Sequence, residues 1–143
     1  LGSLNQKEIR YYDYVIGNIE LGQKNFSGAI EHYQKALPLL PHQYATNNEH
    51  ALFYDALASA HYQAGQLEAA QKEYEKIQFL TIARLYYGDI YAKSFYWLGK
   101  IHEQAGRPQR AKDYFVKFLD LWKSADPGLP EVEDARKRLA GLK

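Results

Sequence analysis

Five histidines, seventeen carboxylates and no cysteine bound the chemistry open to this chain. His61 and His102 stand 41 residues apart in equivalent local contexts, so a fold that stacks those contexts would bring two imidazoles near each other. Such a pair could ligate a metal or move a proton. A zinc site, however, needs further ligands at fixed spacing. There is no thiolate, no His-Glu-x-x-His helix and no carboxylate at ligand spacing beside either histidine. An imidazole also fills the slot of a packing aromatic, and that reading is preferred here. A phosphate-cradling glycine loop, a dinucleotide fingerprint and a nucleophile elbow are all missing from the text. The expectation is therefore no catalytic residue, no cofactor and no metal. An enzyme acting through His61 and His102 is the reading this sets aside.

Charge narrows the partners. Eighteen basic and 17 acidic residues leave a net charge of +1, too little to dominate binding to nucleic acid or an anionic membrane. The basic run Arg136-Lys137-Arg138 follows Glu131, Glu133 and Asp134 in one helical stretch and reads as a solvated face. No apolar run approaches the roughly 20 residues of a membrane span. The start LGSLNQKE has no apolar signal region and no initiating Met. The expectation is a vector-derived remnant on a domain cut from a longer protein, and a cytoplasmic location.

The elements that position side chains follow from a period of 41. Ile16-Gly17, Leu57-Ala58 and Leu98-Gly99 align without a gap. So do Ala29, Ala70 and Ala111, then Tyr33, Tyr74 and Phe115, then Leu39, Leu80 and Leu121. A sustained period of this size means stacked supersecondary units. Apolar spacing makes each unit two helices. The first unit pairs a helix from about Lys7 to Leu21 with one from Ser27, which Pro38 ends or kinks. The second pairs about Asn48–Ala64 with Leu67–Leu80, running on toward Tyr86 or Tyr87. The third pairs about Tyr91–Ala105, capped by Asp89, with Pro108–Trp122. Asn47 or Asn48 is the expected cap after the connector 42–47. A last helix, about 130–142, places Leu139-Ala140 one period after Leu98-Gly99 and closes the stack as half of a fourth unit. The chain is thus one all-α domain of about seven helices, with repeats at about 10–41, 51–82 and 92–123.

Glycine inside a helix costs about 1 kcal/mol relative to alanine. Gly17 and Gly99 therefore imply a close approach, and the Ala29/Ala70/Ala111 column is the expected partner at the crossing of each pair.

The segments IGNIELGQKNFSGAIEHYQKALPLLP (16–41), ALASAHYQAGQLEAAQKEYEKI (56–77) and WLGKIHEQAGRPQRAKDYFVKFL (97–119) resemble the tetratricopeptide repeat. The unit here is 41 residues where that family usually has 34, and Lys24 stands where the family has its turn glycine. The resemblance implies a right-handed superhelix whose first helices line a concave groove. It carries the groove columns onto Tyr11/Leu52/Lys93, Tyr14/Asp55/Tyr96, Asn18/Ser59/Lys100 and Leu21/Tyr62/Glu103. The peptide-binding set it implies is Tyr11, Tyr14, Asn18, Asp55, Ser59, Tyr62, Lys93, Tyr96, Lys100 and Glu103. Some members grip a terminal carboxylate. Asn18 and Lys93 match that clamp, but Tyr14, Ala56 and Trp97 stand where Lys, Asn and Arg would be needed. The stretch 118–143 is more loosely similar to C-terminal repeat regions of large bacterial signalling proteins of the kinase or winged-helix regulator type.

Together these readings describe a non-catalytic protein–protein interaction module that takes a peptide or partner protein on its concave face. The alternative is a self-association segment that oligomerises its parent protein.

Overall fold

The computed structural model describes residues 2–41, 49–80, 83–124 and 128–142, with side chains from residue 8 onward. Its α-helices are α1 (Gly2–Gly22), α2 (Phe26–Ala36), α3 (His50–Gln63), α4 (Leu67–Phe79), α5 (Ala83–Tyr86), α6 (Gly88–Gln104), α7 (Pro108–Leu121) and α8 (Pro130–Gly141). The pairs α1–α2, α3–α4 and α6–α7 stack in chain order. α2 packs on α3, α4 on α6, and α7 on α8. This is the all-α solenoid that the period implies.

The turn inside each pair is built the same way. Lys24, Gly65 and Gly106 occupy the left-handed region, with φ of 62°, 75° and 69°. The next amide donates back across the turn: Asn25 to Glu20, Gln66 to His61 and Arg107 to His102, each N···O at 2.9 Å. This closure satisfies carbonyls that the helix end would leave open. Two repeats use glycine, which adopts that conformation freely, while Lys24 adopts it at a cost. Asn25 then caps α2, its side chain accepting from the Gly28 amide at 3.3 Å.

The small-residue columns pack differently from expectation. A methyl group on Gly17 would lie 2.5 Å from Tyr33 Cε1, and one on Gly99 would lie 2.6 Å from Phe115 Cε1. The glycines therefore yield to the rings of the second helix, not to the alanines. Ala29, Ala70 and Ala111 are fully buried beside them, with Tyr33, Tyr74 and Phe115 as the central rings of their repeats. Leu80 is buried, but Leu121 is 44% exposed and does not fill the space expected of it.

Four boundaries also differ. α1 begins at Gly2 and not near Lys7. The α3 N-cap position is held by Glu49 without a side-chain bond, and the connector 42–48 with its asparagines lies outside the described residues. Asp89 sits within the first turn of α6, where Tyr87 holds the cap position. α4 does not run on: Leu80 is extended (ψ 105°) and turns into the core, and α5 is a separate turn that makes eight α-helices among the described residues. Pro38 is accommodated in a 3-10 turn, Leu37–Leu39, after which Leu40 is extended.

Candidate functional site

The first helices α1, α3 and α6 carry the ten expected groove residues, and most of the groups that engage them lie on these helices and α8. Much of their polarity is spent between neighbouring repeats. Tyr11 Oη donates to Glu49 Oε1, 38 residues on, and Arg10 pairs with the same carboxylate at 3.4 Å. The carboxylate as acceptor is the main reason the Tyr11 hydroxyl is raised. Tyr96 Oη donates to Asp134 Oδ2 at 2.7 Å, again 38 residues on. Lys93 reaches Glu131 at 3.0 Å, and Arg138 bonds both Glu103 and Asp134. Burial works to raise the Asp134 carboxyl, yet the bonds from Arg138 and Tyr96 hold it below the usual range. So α8 is latched onto α6 by Lys93, Tyr96 and Glu103, and Tyr96 is buried. These three expected groove residues are structural contacts of the closing helix.

The clamp reading fails on geometry as well. Asn18 Oδ1 accepts from Tyr33 Oη at 2.8 Å, and Lys93 is paired to Glu131. The two residues that match a carboxylate clamp are both occupied.

Asp55 lies one latch step before Lys93, but Lys93 bonds Glu131 instead. Asp55 has no hydrogen bond or ion pair among the described residues. Its carboxyl is pushed up to about 6, chiefly by burial and then by Asp89, while Lys93 works in the opposite direction. Tyr14 packs tilted against Phe53, ring centroids 4.7 Å apart and planes 44° from parallel, and close to Tyr33 at 5.9 Å. Burial raises its hydroxyl. Ser59 accepts from Gln63 Nε2 at 3.2 Å, and Tyr62 accepts from Gln104 Nε2 at 2.7 Å.

Lys100 is the polar centre of what remains. Its ammonium stands 4.7 Å from the Trp97 ring centre, 5.3 Å from Tyr96 and 5.6 Å from Tyr62. Rings attract a cation through their negative faces, and the attraction grows as water is removed. Lys100 forms no ion pair among the described residues. Burial, then the nearby Arg138 charge, lowers its pKa from the usual lysine value, and a nearby anion would favour the charged form. Trp97 is the site residue that sequence reasoning missed as a participant. It entered that reading only as a failed clamp position, although its aromatic type within a groove segment was the available signal.

Among the described residues, no hydrogen bond joins His61 to His102. His61 Nδ1 bonds Gln66 Oε1 at 2.6 Å. His102 is fully buried and stacks on Tyr114, centroids 5.2 Å apart and planes 6° from parallel. Neither of its nitrogens has a partner among the described residues. Burial, with Arg107 and Arg110 nearby, lowers its pKa. Both histidines are buried. Among the described residues, no group of three or more His, Cys, Asp or Glu side chains converges on a metal-sized site, and no helix is long and apolar enough to cross a membrane.

Stacked antiparallel helix pairs with a shared inner face define an α-solenoid repeat domain. Residues 92–121 match the tetratricopeptide repeat, and the described chain as a whole has the fold of a tetratricopeptide-repeat domain. It is similar to the TPR domain of OM64 from Arabidopsis, with a TM-score of 0.72 at 20% identity over 95% of this chain and 98% of that one. It is also similar to the second TPR domain of human RPAP3, in complex with the HSP70 peptide SGPTIEEVD, with a TM-score of 0.66 at 20% identity over 93% and 97%. No curated protein sequence matches the chain.

Proposed function

We propose that this chain is a non-catalytic interaction module that binds an extended peptide on its concave face, with an acidic group of the peptide seated at Lys100. One observation carries the reading. Arg10, Lys93 and Arg138 are all ion-paired along the groove, whereas Lys100 stands over three rings with no carboxylate partner among the described residues. Asp55, short of a donor, supplies an acceptor for a peptide N–H or a basic side chain. Tyr14 and Tyr62 offer half-buried rings that can anchor apolar side chains at low entropic cost. A domain of the same fold, that of RPAP3, is found with a peptide containing two adjacent glutamates, which supports an acidic ligand here. The clamp residues differ, so the acidic group need not be a chain terminus.

The test uses nonapeptide pools with a fixed central Glu, Lys or Ala, followed through tryptophan fluorescence in a Trp122→Phe background that leaves Trp97 as the reporter. The Glu pool binds the wild type most tightly, and Lys100→Glu reverses the order. Equal binding of the three pools would move the site elsewhere. The proposal extends to a larger bacterial signalling or regulatory protein as the parent, which the full reading frame would test. It also extends to a cytoplasmic setting, which fractionation of cells expressing the parent would test.

A further inference from the structure

Two opposite charges stand on the concave face without an ion-pair partner among the described residues. The groups that could satisfy Asp55 are committed elsewhere. Lys93, the cation that acts on it, is held by Glu131 at 3.0 Å, and the Tyr33 hydroxyl donates to Asn18 at 2.8 Å. A second carboxylate, the exposed Asp89 of α6, acts on Asp55 with the same sign. The groups that could satisfy Lys100 are committed too. Glu103 and Asp134 both act on its ammonium, but Arg138 bonds both of them. Among the described residues, no ion pair joins Asp55 to Lys100, so neither neutralises the other.

The fold sets the two charges one step apart. Tyr96 of α6 is the equivalent of Asp55 of α3, 41 residues on, and Lys100 lies one helical turn past Tyr96. Four residues advance a helix by about 6 Å, and packed helices stand about 9 Å apart. α3 contacts α6. The two backbone positions are therefore about 11 Å apart, which an extended chain spans in about three residues. The floor between them is aromatic. Asp55 and Tyr62 both act on the hydroxyl of buried Tyr74. Tyr74 stacks on Trp97, planes 9° from parallel and centroids 6.2 Å apart, and Tyr62 lies 5.0 Å from the same ring. Lys100 stands over Trp97 at the far side.

These surroundings select charge and not merely polarity. A neutral N–H at Asp55 would leave a half-buried carboxylate uncompensated, whereas a cation offsets both Asp55 and Asp89. Burial has pushed the Asp55 carboxyl up to about 6 and drawn the Lys100 ammonium down, and an opposite charge favours the ionised form of each. A ligand with an acidic group alone answers one of the two.

We propose, resting on the reading of the concave face as a peptide groove, that its ligands are bipolar segments: a Lys or Arg side chain at Asp55 and a Glu or Asp side chain at Lys100, about three residues apart, with the intervening residues over Trp97 and Tyr62. Isothermal titration calorimetry on the whole chain at about pH 7.5, where carboxylates and ammoniums are ionised, tests it. The probes are nonapeptides acetylated and amidated so that their ends carry no charge. One carries Lys and Glu three residues apart, made in both chain orders; the others replace its Lys by Gln, replace its Glu by Gln, or set Lys and Glu adjacent. The spaced peptide binds in one order, and replacing its Lys by Gln weakens wild-type binding about tenfold. That replacement has no effect in Asp55→Asn, and replacing Glu by Gln has none in Lys100→Gln, as a pairwise contact requires. Both variants keep the wild-type circular dichroism spectrum. Glu-dependent binding with no loss on replacing Lys overturns bipolar recognition and leaves the groove reading standing. A Lys effect that persists in Asp55→Asn overturns the assignment to Asp55, and equal binding of the adjacent pair overturns the spacing. Failure of every peptide in both orders overturns the proposal, and failure of the Glu-centred pool as well overturns the groove reading with it.

Discussion

Gly99→Ala is the change whose sign separates a packing account from a propensity account. In an exposed helix this substitution stabilises by up to about 1 kcal/mol, because alanine loses less backbone entropy on folding. Here the new methyl would sit 2.6, 2.7 and 2.9 Å from three carbons of the Phe115 ring. Phe115 is fully buried and bounded by Tyr96, 6.3 Å away between ring centres. The ring can relieve the overlap only by displacing its neighbours. Overpacking of this kind costs about 1–3 kcal/mol. Set against the propensity gain, the net loss is about 1 kcal/mol, or about 3 °C in Tm for a domain of this size. Thermal unfolding by circular dichroism reads it directly. Gly22→Ala is the control, since no atom lies within 4 Å of its added methyl, and it should raise Tm slightly. Shrinking the ring in Gly99→Ala/Phe115→Leu should cost less than the sum of the two single changes, as expected for residues in contact. A Gly99→Ala protein as stable as the Gly22→Ala protein would refute the claim that the ring dictates glycine at this column.

The other predictions follow from features already described. Lys24→Gly should stabilise by about 0.5–1 kcal/mol, because it removes a non-glycine residue from the left-handed turn position, and chemical denaturation should show a raised midpoint. Ala70→Leu should cost about 1–3 kcal/mol by overpacking a fully buried site; an unchanged Tm would contradict this. Arg138→Ala should loosen α8 through the loss of two partly exposed pairs, a cost of about 1 kcal/mol, with amide exchange rising in α8 before the rest. The folded state binds a proton at Asp55 more tightly than the unfolded chain does, so this group's contribution falls as pH rises from about 4 to about 6. Asp55→Asn should then be more stable than wild type above pH 6, and the difference should shrink toward pH 4.

The stack was legible because each repeat states the same facts three times. Ala, an aromatic and a turn residue recur at one spacing, and stacking is the packing that satisfies all of them together. Lys24 was visible as an exception at the glycine position, and its φ confirms the turn it interrupts. What escaped were choices settled between elements. The partner of Gly99 is the Phe115 ring because ring size, not column neighbourhood, decides which atom arrives first. Leu80 leaves α4 because burial of its side chain outweighs one more helical turn. At the groove, residue types alone could not tell a ligand contact from a latch. Lys93 and Lys100 share a helix and a charge, yet Lys93 reaches Glu131 and Lys100 reaches only rings. That division depends on where α8 settles, a long-range fact that local spacing does not contain.

The central claim is that the concave face binds a peptide through Lys100. Amide chemical shifts of the isotope-labelled chain, recorded while the Glu-centred nonapeptide pool is added, test it most directly. The account predicts shifts concentrated on α1, α3 and α6 around Tyr14, Ser59, Tyr62, Trp97 and Lys100, and their disappearance in Lys100→Glu. Shifts centred on the outer helices α2, α4 and α7, or unaltered by Lys100→Glu, would contradict it.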